Sequence, residues 1–514
     1  MPAGQAPSQP APIYASAPEV QSKVLGMMRP TARPALDPRP GGVHNWPMEK
    51  FDLAVLGTGP AGHCGALQAA KIGKKVVAIE QRDRVGGISA TTGTIPSKAL
   101  REATLSLTGL RLRGFHGLGH TVRDNVTLQD LVASTAQIIR NETSSLEAQL
   151  RQSGVKLLRG KGQFAGPHRL KVDTAQGERQ IEAEVVLIAV GSRPAHPPDL
   201  AFDGRKVIDS SQILNLPALP RRLTVVGAGV IGIEYACIFS ALGVAVTVVD
   251  QSEEILEFVD RQILDNLRHQ MQNRDVEFKL GEEVVGLEME GTEVVAVTRS
   301  KKRLPSDCLL YSVGRKANAD GLNLQAAGLS CDERGRIRTG EQFQTEIPGI
   351  YAAGDVKGFP ALAATSREQG RLAICHAFGI PRAPTSAAVP FGIYAIPEIS
   401  MFGPTEKVLA QKGIPFEVGV ARYKELARGQ ILGDTEGMLK ILFQRETLKI
   451  LAVHIVGEGA TELIHIGQAV HAFGGTLPYF VHAVFNRPTL AECYKAAALD
   501  GMNRLSAEHP GVML

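Results

Sequence analysis

One pattern, written twice, limits what this chain can fold into more than any other feature. Residues 51–81 read FDLAVLGTGPAGHCGALQAAKIGKKVVAIEQ, and residues 222–251 read RLTVVGAGVIGIEYACIFSALGVAVTVVDQ. Each begins with a short apolar run, passes a glycine turn and a helix-length stretch, and closes on a second apolar run that ends in an acid. That order predicts two βαβ units, and therefore parallel sheet, in a chain of the α/β class. Gly57, Gly59 and Gly62 form GxGxxG in the first unit, with Glu80 placed 23 positions after Gly57. Gly227, Gly229 and Gly232 repeat it in the second, with Asp250 at the same offset of 23.

Each part of the pattern has a mechanical reason. The first glycine allows the tight turn, the second lets backbone approach a pyrophosphate, and the third allows close packing of the helix. The helix N-terminus then faces the phosphates, and the acid accepts ribose hydroxyls. Pro60 and Ala61 open the first helix, and Val230 and Ile231 open the second, so they fall beside the bound phosphates. Two dinucleotide sites imply two dinucleotides. The economical chemistry for such a pair is a resident flavin, FAD, reduced by a visiting NAD(P)H.

Between the units, residues 125–153 read as a long helix and residues 155–190 as short strands; beyond Pro384 the pattern shifts to alternating strands and then helices, a third, α+β region. Residues 1–47 are rich in Pro and Ala and lack hydrophobic period, which predicts a disordered tail. A transit segment and a true start at Met48 are the other readings of that stretch. No apolar run approaches the roughly 20 residues needed to cross a bilayer. A net charge of +4 over 514 residues is too dilute to argue for nucleic acid. The six cysteines are scattered, without CxxC or metal-ligand spacing, which predicts free thiols, a reducing, cytoplasmic setting and no metal site. His465, His471 and His482 read as packed or surface histidines, and the acid pairs of GEEV and SEEI as solvated loops.

Several further segments resemble the glutathione reductase and lipoamide dehydrogenase family, the class-I pyridine nucleotide-disulfide oxidoreductases. IPGIYAAGDV (347–356) is similar to that family's second FAD fingerprint, and LIAVGSRP and LYSVGRKAN are similar to the two linkers of its nicotinamide domain. YAIPEISMFGPTE and HIVGEGATELIHIGQAV resemble its interface domain. The resemblance implies a glutathione reductase-like fold: a FAD-binding domain over 48–199 and 315–384, an NAD(P)-binding domain over 200–314, and an interface domain over 385–508 that pairs two subunits as a homodimer. It also implies an ion pair of Lys98 with Glu234 beside the reacting edge of the flavin. Gly86, Gly87, Ser89, Gly162, Gly191, Asp355 and Ala363 are implied as further flavin contacts, and Gly314 as a neighbour of the nicotinamide route.

VGGISATTGTIPSKALREA (85–103) departs from the family at two positions. Ser89 and Thr94 stand where the disulfide reductases carry their two redox cysteines, and in NRPTLAE Arg487 replaces the family's histidine while Glu492 is kept. A hydroxyl has no accessible two-electron couple and an arginine stays protonated, so a thiol relay has no members here. GTIPSKALR and the NRPTLAE segment resemble most the soluble pyridine nucleotide transhydrogenases. That resemblance implies a ping-pong exchange in which NADPH reduces FAD and NAD+ then takes the hydride. An NAD(P)H diaphorase with a quinone, metal or oxygen acceptor is the alternative enzyme, and an inert redox-sensing flavoprotein is the alternative from another class. Asp250 is followed by QSEE, whose acids repel a 2′-phosphate, which predicts tighter binding of NADH than of NADPH unless Arg261 or Lys279 reaches that group.

Overall fold

Both glycine-turn patterns fold as strand, turn, helix and strand. In the computed structural model, which describes residues 47–110, 127–381 and 388–508, the first unit comprises the strand Glu49–Leu56, the helix Pro60–Lys71 and the strand Val76–Glu80. The two strands pair in parallel, Leu53 opposite Val76 and Leu56 opposite Ile79, and their apolar side chains are buried on both faces. The tail expected over 1–47 lies, except for Pro47, outside the described residues.

The first sheet has seven strands. Parallel strands Lys156–Arg159, Val76–Glu80, Glu49–Leu56 and Gly177–Ile188 are extended by the antiparallel strands Arg169–Thr174 and Lys161–Gly166. The chain leaves this sheet at Ile188 and returns to it at Ile350–Ala352, which pairs in parallel with the end of the long strand, Ala352 opposite Ile188. Between exit and return lies a second, wholly parallel sheet in the order 277–280, 245–250, 222–226, 308–311, 207–209. The segments crossing between the two sheets lie side by side, Ser192–Pro194 antiparallel to Arg315–Ala317.

The long helix predicted over 125–153 runs from Leu128 to Gln152, and its start is set by a capping box between Thr127 and Asp130. After residue 388 the chain forms a five-stranded antiparallel sheet with strand order 391–393, 399–402, 450–456, 438–444, 416–422, covered by the helices Ala460–Ala472 and Glu492–Glu508. One continuous apolar core joins the regions that matter most for the site. Ile233 and Ile238 of the second crossover helix pack into the same cluster as Leu100 and Leu105 of the helix Thr94–Leu107 and Ile393, Ile396 and Ile399 of the third sheet. Burial thus draws three parts of the chain to a common junction.

Candidate functional site

The glycine turns are built alike. Gly57 and Gly227 have φ of +95° and +106°, which side chains rarely adopt, and a Cβ on Gly57 would stand 2.6 Å from the Ala189 carbonyl oxygen. A Cβ on Gly62 or on Gly232 would lie 1.9 Å from the carbonyl oxygen of Gly57 or Gly227. The third glycine therefore lets the helix close on the turn itself. At the middle positions the situation reverses: a Cβ on Gly59 would meet only the Gly87 Cα at 3.9 Å, and one on Gly229 would meet nothing within 4 Å. Protein packing leaves that space open, as a phosphate-binding turn requires.

The acids also repeat. Glu80 is buried and accepts from the Thr58 amide at 3.0 Å, the Thr58 hydroxyl at 2.5 Å and the Arg82 amide at 2.9 Å. Asp250 is half-buried and accepts from the Ala228 amide at 2.5 Å and the Ser252 amide at 2.8 Å. In both units the acid at the end of the second strand ties down the residue after the first glycine.

One cavity of about 860 Å³ connects the two turns. Of the residues expected to hold flavin, Gly57, Gly59, Pro60, Ala61, Glu80, Gly87, Ser89, Lys98, Gly162, Gly191, Asp355 and Ala363 line it. Of those expected at the nicotinamide, Gly229, Val230, Ile231, Glu234 and Gly314 line it. Gly62, Gly86, Gly227, Gly232 and Asp250 do not. Gly62, Gly227 and Gly232 shape the turns from behind, the Gly86 amide donates to the Thr58 carbonyl at 3.1 Å, and the Asp250 carboxylate is bound to its turn at the Ala228 amide.

Lys98 and Glu234 meet inside this cavity. The ammonium lies 2.7 Å and 3.0 Å from the two carboxylate oxygens, and the carboxylate is 6% exposed, so this is not a surface salt bridge. Lys98 comes from the helix Thr94–Leu107 and Glu234 from the second crossover helix. The third sheet contributes as well: the Tyr394 amide donates to Glu234 Oε1 at 2.9 Å, and the Lys98 Nζ lies 4.7 Å from the Tyr394 ring centre.

Asp355 stands where the two linkers meet. Ser192 Oγ donates to it at 2.7 Å, and Arg315, whose Nε donates to Ser192 Oγ at 2.8 Å, lies 4.0 Å from it. Burial pushes Arg315 below its ordinary value, opposed by Asp355 and Asp209.

Sequence reasoning did not find Tyr394, Ser192, Arg315 or Thr461, all of which line the cavity. His465, read as a packed or surface histidine, lines it too; its Nδ1 lies 2.8 Å from Gln468 Oε1. The solvated-loop reading of GEEV also needs correction. Glu282 is held by Lys302 and Ser300, whose hydrogen bonds pull it down to about 2, and Glu283 pairs with Arg299. Arg261 and Lys279 are occupied as well, Arg261 with Glu254 and Asp265 and Lys279 with Glu277.

None of the six cysteines lines the cavity, and all are free. Burial pushes Cys237 up to about 11 and Cys308 up to about 12, which keeps both as inert thiols. Ser89 and Thr94 both line the cavity. Arg487 does not; it is exposed and lies 3.7 Å from Glu492. Among the described residues no cluster has the makings of a metal site, and no helix is long and apolar enough to cross a membrane.

Two crossed nucleotide folds, a shared cavity and an appended antiparallel sheet are also what a known family combines. A family model described as pyridine nucleotide-disulphide oxidoreductase matches residues 51–370, and the dimerisation domain of the same description matches residues 389–498. The chain belongs to that family. Its fold is the glutathione reductase-like fold expected above, and it is an oxidoreductase. It is 48% identical over 462 residues, 90% of this chain and 99% of the relative, to a protein of Mycobacterium bovis named soluble pyridine nucleotide transhydrogenase. A protein of the same name from Colwellia psychrerythraea is 41% identical over 466 residues, covering 89% of this chain and all of the relative. Among solved structures, LpdA from Mycobacterium tuberculosis superposes with a TM-score of 0.81 at 27% identity, covering 88% of this chain and 99% of that one. The HOCl-induced flavoprotein disulfide reductase RclA from Escherichia coli, as a Cu(II) complex, reaches 0.80 at 25% identity over the same shares.

Proposed function

We propose that this protein is a soluble pyridine nucleotide transhydrogenase that moves hydride from NADPH to NAD+ by way of bound FAD. The observation that carries the reading is a Lys98–Glu234 pair, its carboxylate buried, in a cavity joining two dinucleotide turns, with no cysteine in its lining. Relatives that match nearly end to end carry that name.

The residues present fit FAD. Gly59 and Gly87 approach so closely that a Cβ on Gly87 would stand 2.9 Å from the Gly59 Cα, which leaves a bare backbone cradle suited to a pyrophosphate. Glu80, held by Thr58 and Arg82, would accept ribose hydroxyls, and Asp355, held by Ser192, would accept from the polyol chain. When bound, FAD supplies a ring that accepts a hydride from one nicotinamide and delivers it to another.

The chain itself works by positioning and by charge. Gly229, Val230 and Ile231 form the open turn on which the pyrophosphate of either nicotinamide coenzyme would rest. Glu234 holds the Lys98 ammonium at the junction, so that a positive charge would be available to stabilise the reduced ring. With hydroxyls at Ser89 and Thr94, the protein offers no sulfur for the electrons to pass to, and a nicotinamide is the acceptor that the open second turn accommodates. The exposed Arg487 is not expected to move protons. A homodimer through residues 389–498 fits the family's dimerisation domain.

The acids of QSEE and the pairing of Arg261 and Lys279 support weaker binding of NADPH than of NADH. The deciding experiment supplies NADPH and an NAD+ analogue to the purified, FAD-loaded protein. Hydride arriving on the analogue faster than electrons reach a quinone is the expected result. Quinone reduction alone makes the protein a diaphorase, and failure of NADH and NADPH alike to change the flavin spectrum makes it inert.

A further inference from the structure

The third sheet follows both nucleotide folds in the chain, yet the connection between its first two strands, 394–398, reaches the cavity through Tyr394. The segment 394–398 is held by all of its neighbours: the Tyr394 amide donates to Glu234, Arg101 Nε donates to the Ala395 carbonyl at 2.8 Å, and Arg274 donates to the Ile396 carbonyl at 2.6 Å. Arg101 also lies 3.8 Å from Glu398, which in turn accepts from Thr461 at 3.2 Å. Tyr394 is tied at its own amide and, through the two residues that follow, at their carbonyls. Its ring therefore presents a fixed face, and the ammonium of Lys98 lies over that face at 4.7 Å.

An ammonium on a flexible four-carbon stem has many rotamers, and its hydrogen-bond partners here are Glu234 and, at 3.3 Å, Ser97 Oγ. A carboxylate also lowers the net charge that the ammonium presents. An aromatic face adds attraction without adding a negative charge, and it does so best where water is scarce. We propose that Tyr394 is a positioning residue for hydride transfer: its ring caps the Lys98 ammonium while its amide pins Glu234, so that the third domain completes the reacting centre within the same chain. The kinetic part of this inference rests on the function proposed above; the placement of Lys98 does not.

The test separates ring electrons from ring shape. In Tyr394→Phe the face is kept, and transhydrogenation should stay within about twofold of the parent. In Tyr394→Leu the face is lost, and kcat should fall about tenfold with KM little changed, the signature of an interaction used in the transition state. Preparing the Tyr394→Phe protein with increasingly fluorinated phenylalanine at that position drains the π face without altering its size. Each added fluorine should lower kcat further and speed the labelling of Lys98 by an amine-reactive reagent in the flavin-free protein. A flat response to fluorination in both readouts would overturn the proposal, even if the leucine variant fails to fold. So would a Lys98→Met, Tyr394→Leu double variant whose loss is the full product of the two single losses, because the tyrosine would then act independently of the lysine. If labelling responds while no hydride passes between nicotinamides even in the parent, the placement stands and the transhydrogenase reading fails.

Discussion

The two glycine turns have the same spacing and the same acid offset, yet they occupy different surroundings. Around the first, Glu80 is buried under three hydrogen bonds, Gly87 closes over Gly59, and Gly162 and Asp355 arrive from later in the chain to wall the cavity. Around the second, Asp250 is half-buried and accepts from the Ala228 and Ser252 amides, and nothing stands within 4 Å of the Cβ position at Gly229. A ligand enclosed on several sides dissociates slowly, whereas one resting on an open turn can exchange in every cycle. The contrast teaches that a fingerprint marks where a dinucleotide sits, while the surrounding chain decides whether it stays. That difference supports the proposed resident flavin at the first turn and visiting nicotinamides at the second.

The sharpest way to break the comparison is to place a methyl group on each turn. Gly59→Ala and Gly229→Ala both have room to fold, because the new Cβ meets little protein. Backbone donors to a pyrophosphate should be blocked in each case, at a cost of about tenfold to a hundredfold in affinity. Gly59→Ala should purify with little flavin. Gly229→Ala should keep its flavin and show a matching rise in KM for both nicotinamides. Equal flavin content in the two variants would dissolve the distinction between the turns.

Next in size is the buried acid. Glu80→Gln keeps the shape but loses charge-assisted acceptance from Thr58 and Arg82, and should lower unfolding free energy by about 2 kcal/mol in denaturant titrations of the flavin-free protein. The equivalent Asp250→Asn, at a half-buried site, should lower it by less.

A smaller effect tests how the second fold is tied to the third sheet. Lys440 and Asp260, both buried, meet at 2.8 Å, and the adjacent His454 is held below its ordinary value by burial, with Lys440 adding to the shift. A histidine with a lowered folded value contributes stability above its ordinary value of 6.5 that is lost as pH falls toward the folded value. Between pH 6.5 and 5.5 the parent should lose more stability than His454→Gln, measured by denaturant titration at each pH. The smallest effect is expected in coenzyme choice. Asp250→Asn should shift the NADPH to NADH ratio of kcat/KM upward by about threefold, because a repelling charge is removed from a partly screened position.

Much of the site could be read directly. The glycine and acid spacings identified both turns, and the IPSK and GIEYA segments located Lys98 and Glu234, 136 positions apart, which the structure brings within 2.7 Å. The partners of those groups could not be read. Tyr394 lies in a run that reads as an ordinary approach to a strand, and Ser192 and Arg315 lie in linkers whose glycines draw the attention instead. Glu282 looked solvated because its cation, Lys302, comes from beyond the next hairpin.

The sequence by itself determined the two βαβ units, the turns that face phosphates and the absence of cysteine where a disulfide relay would need it. These are properties of spacing and residue type within some 30 positions, where chain geometry leaves few alternatives. Only the tertiary structure decided that Gly162 and Asp355 wall the cavity beside the first turn and that Tyr394 stands over Lys98. Those contacts join residues more than a hundred positions apart through a shared apolar core, and no local period records which distant side chain such a core will bring alongside.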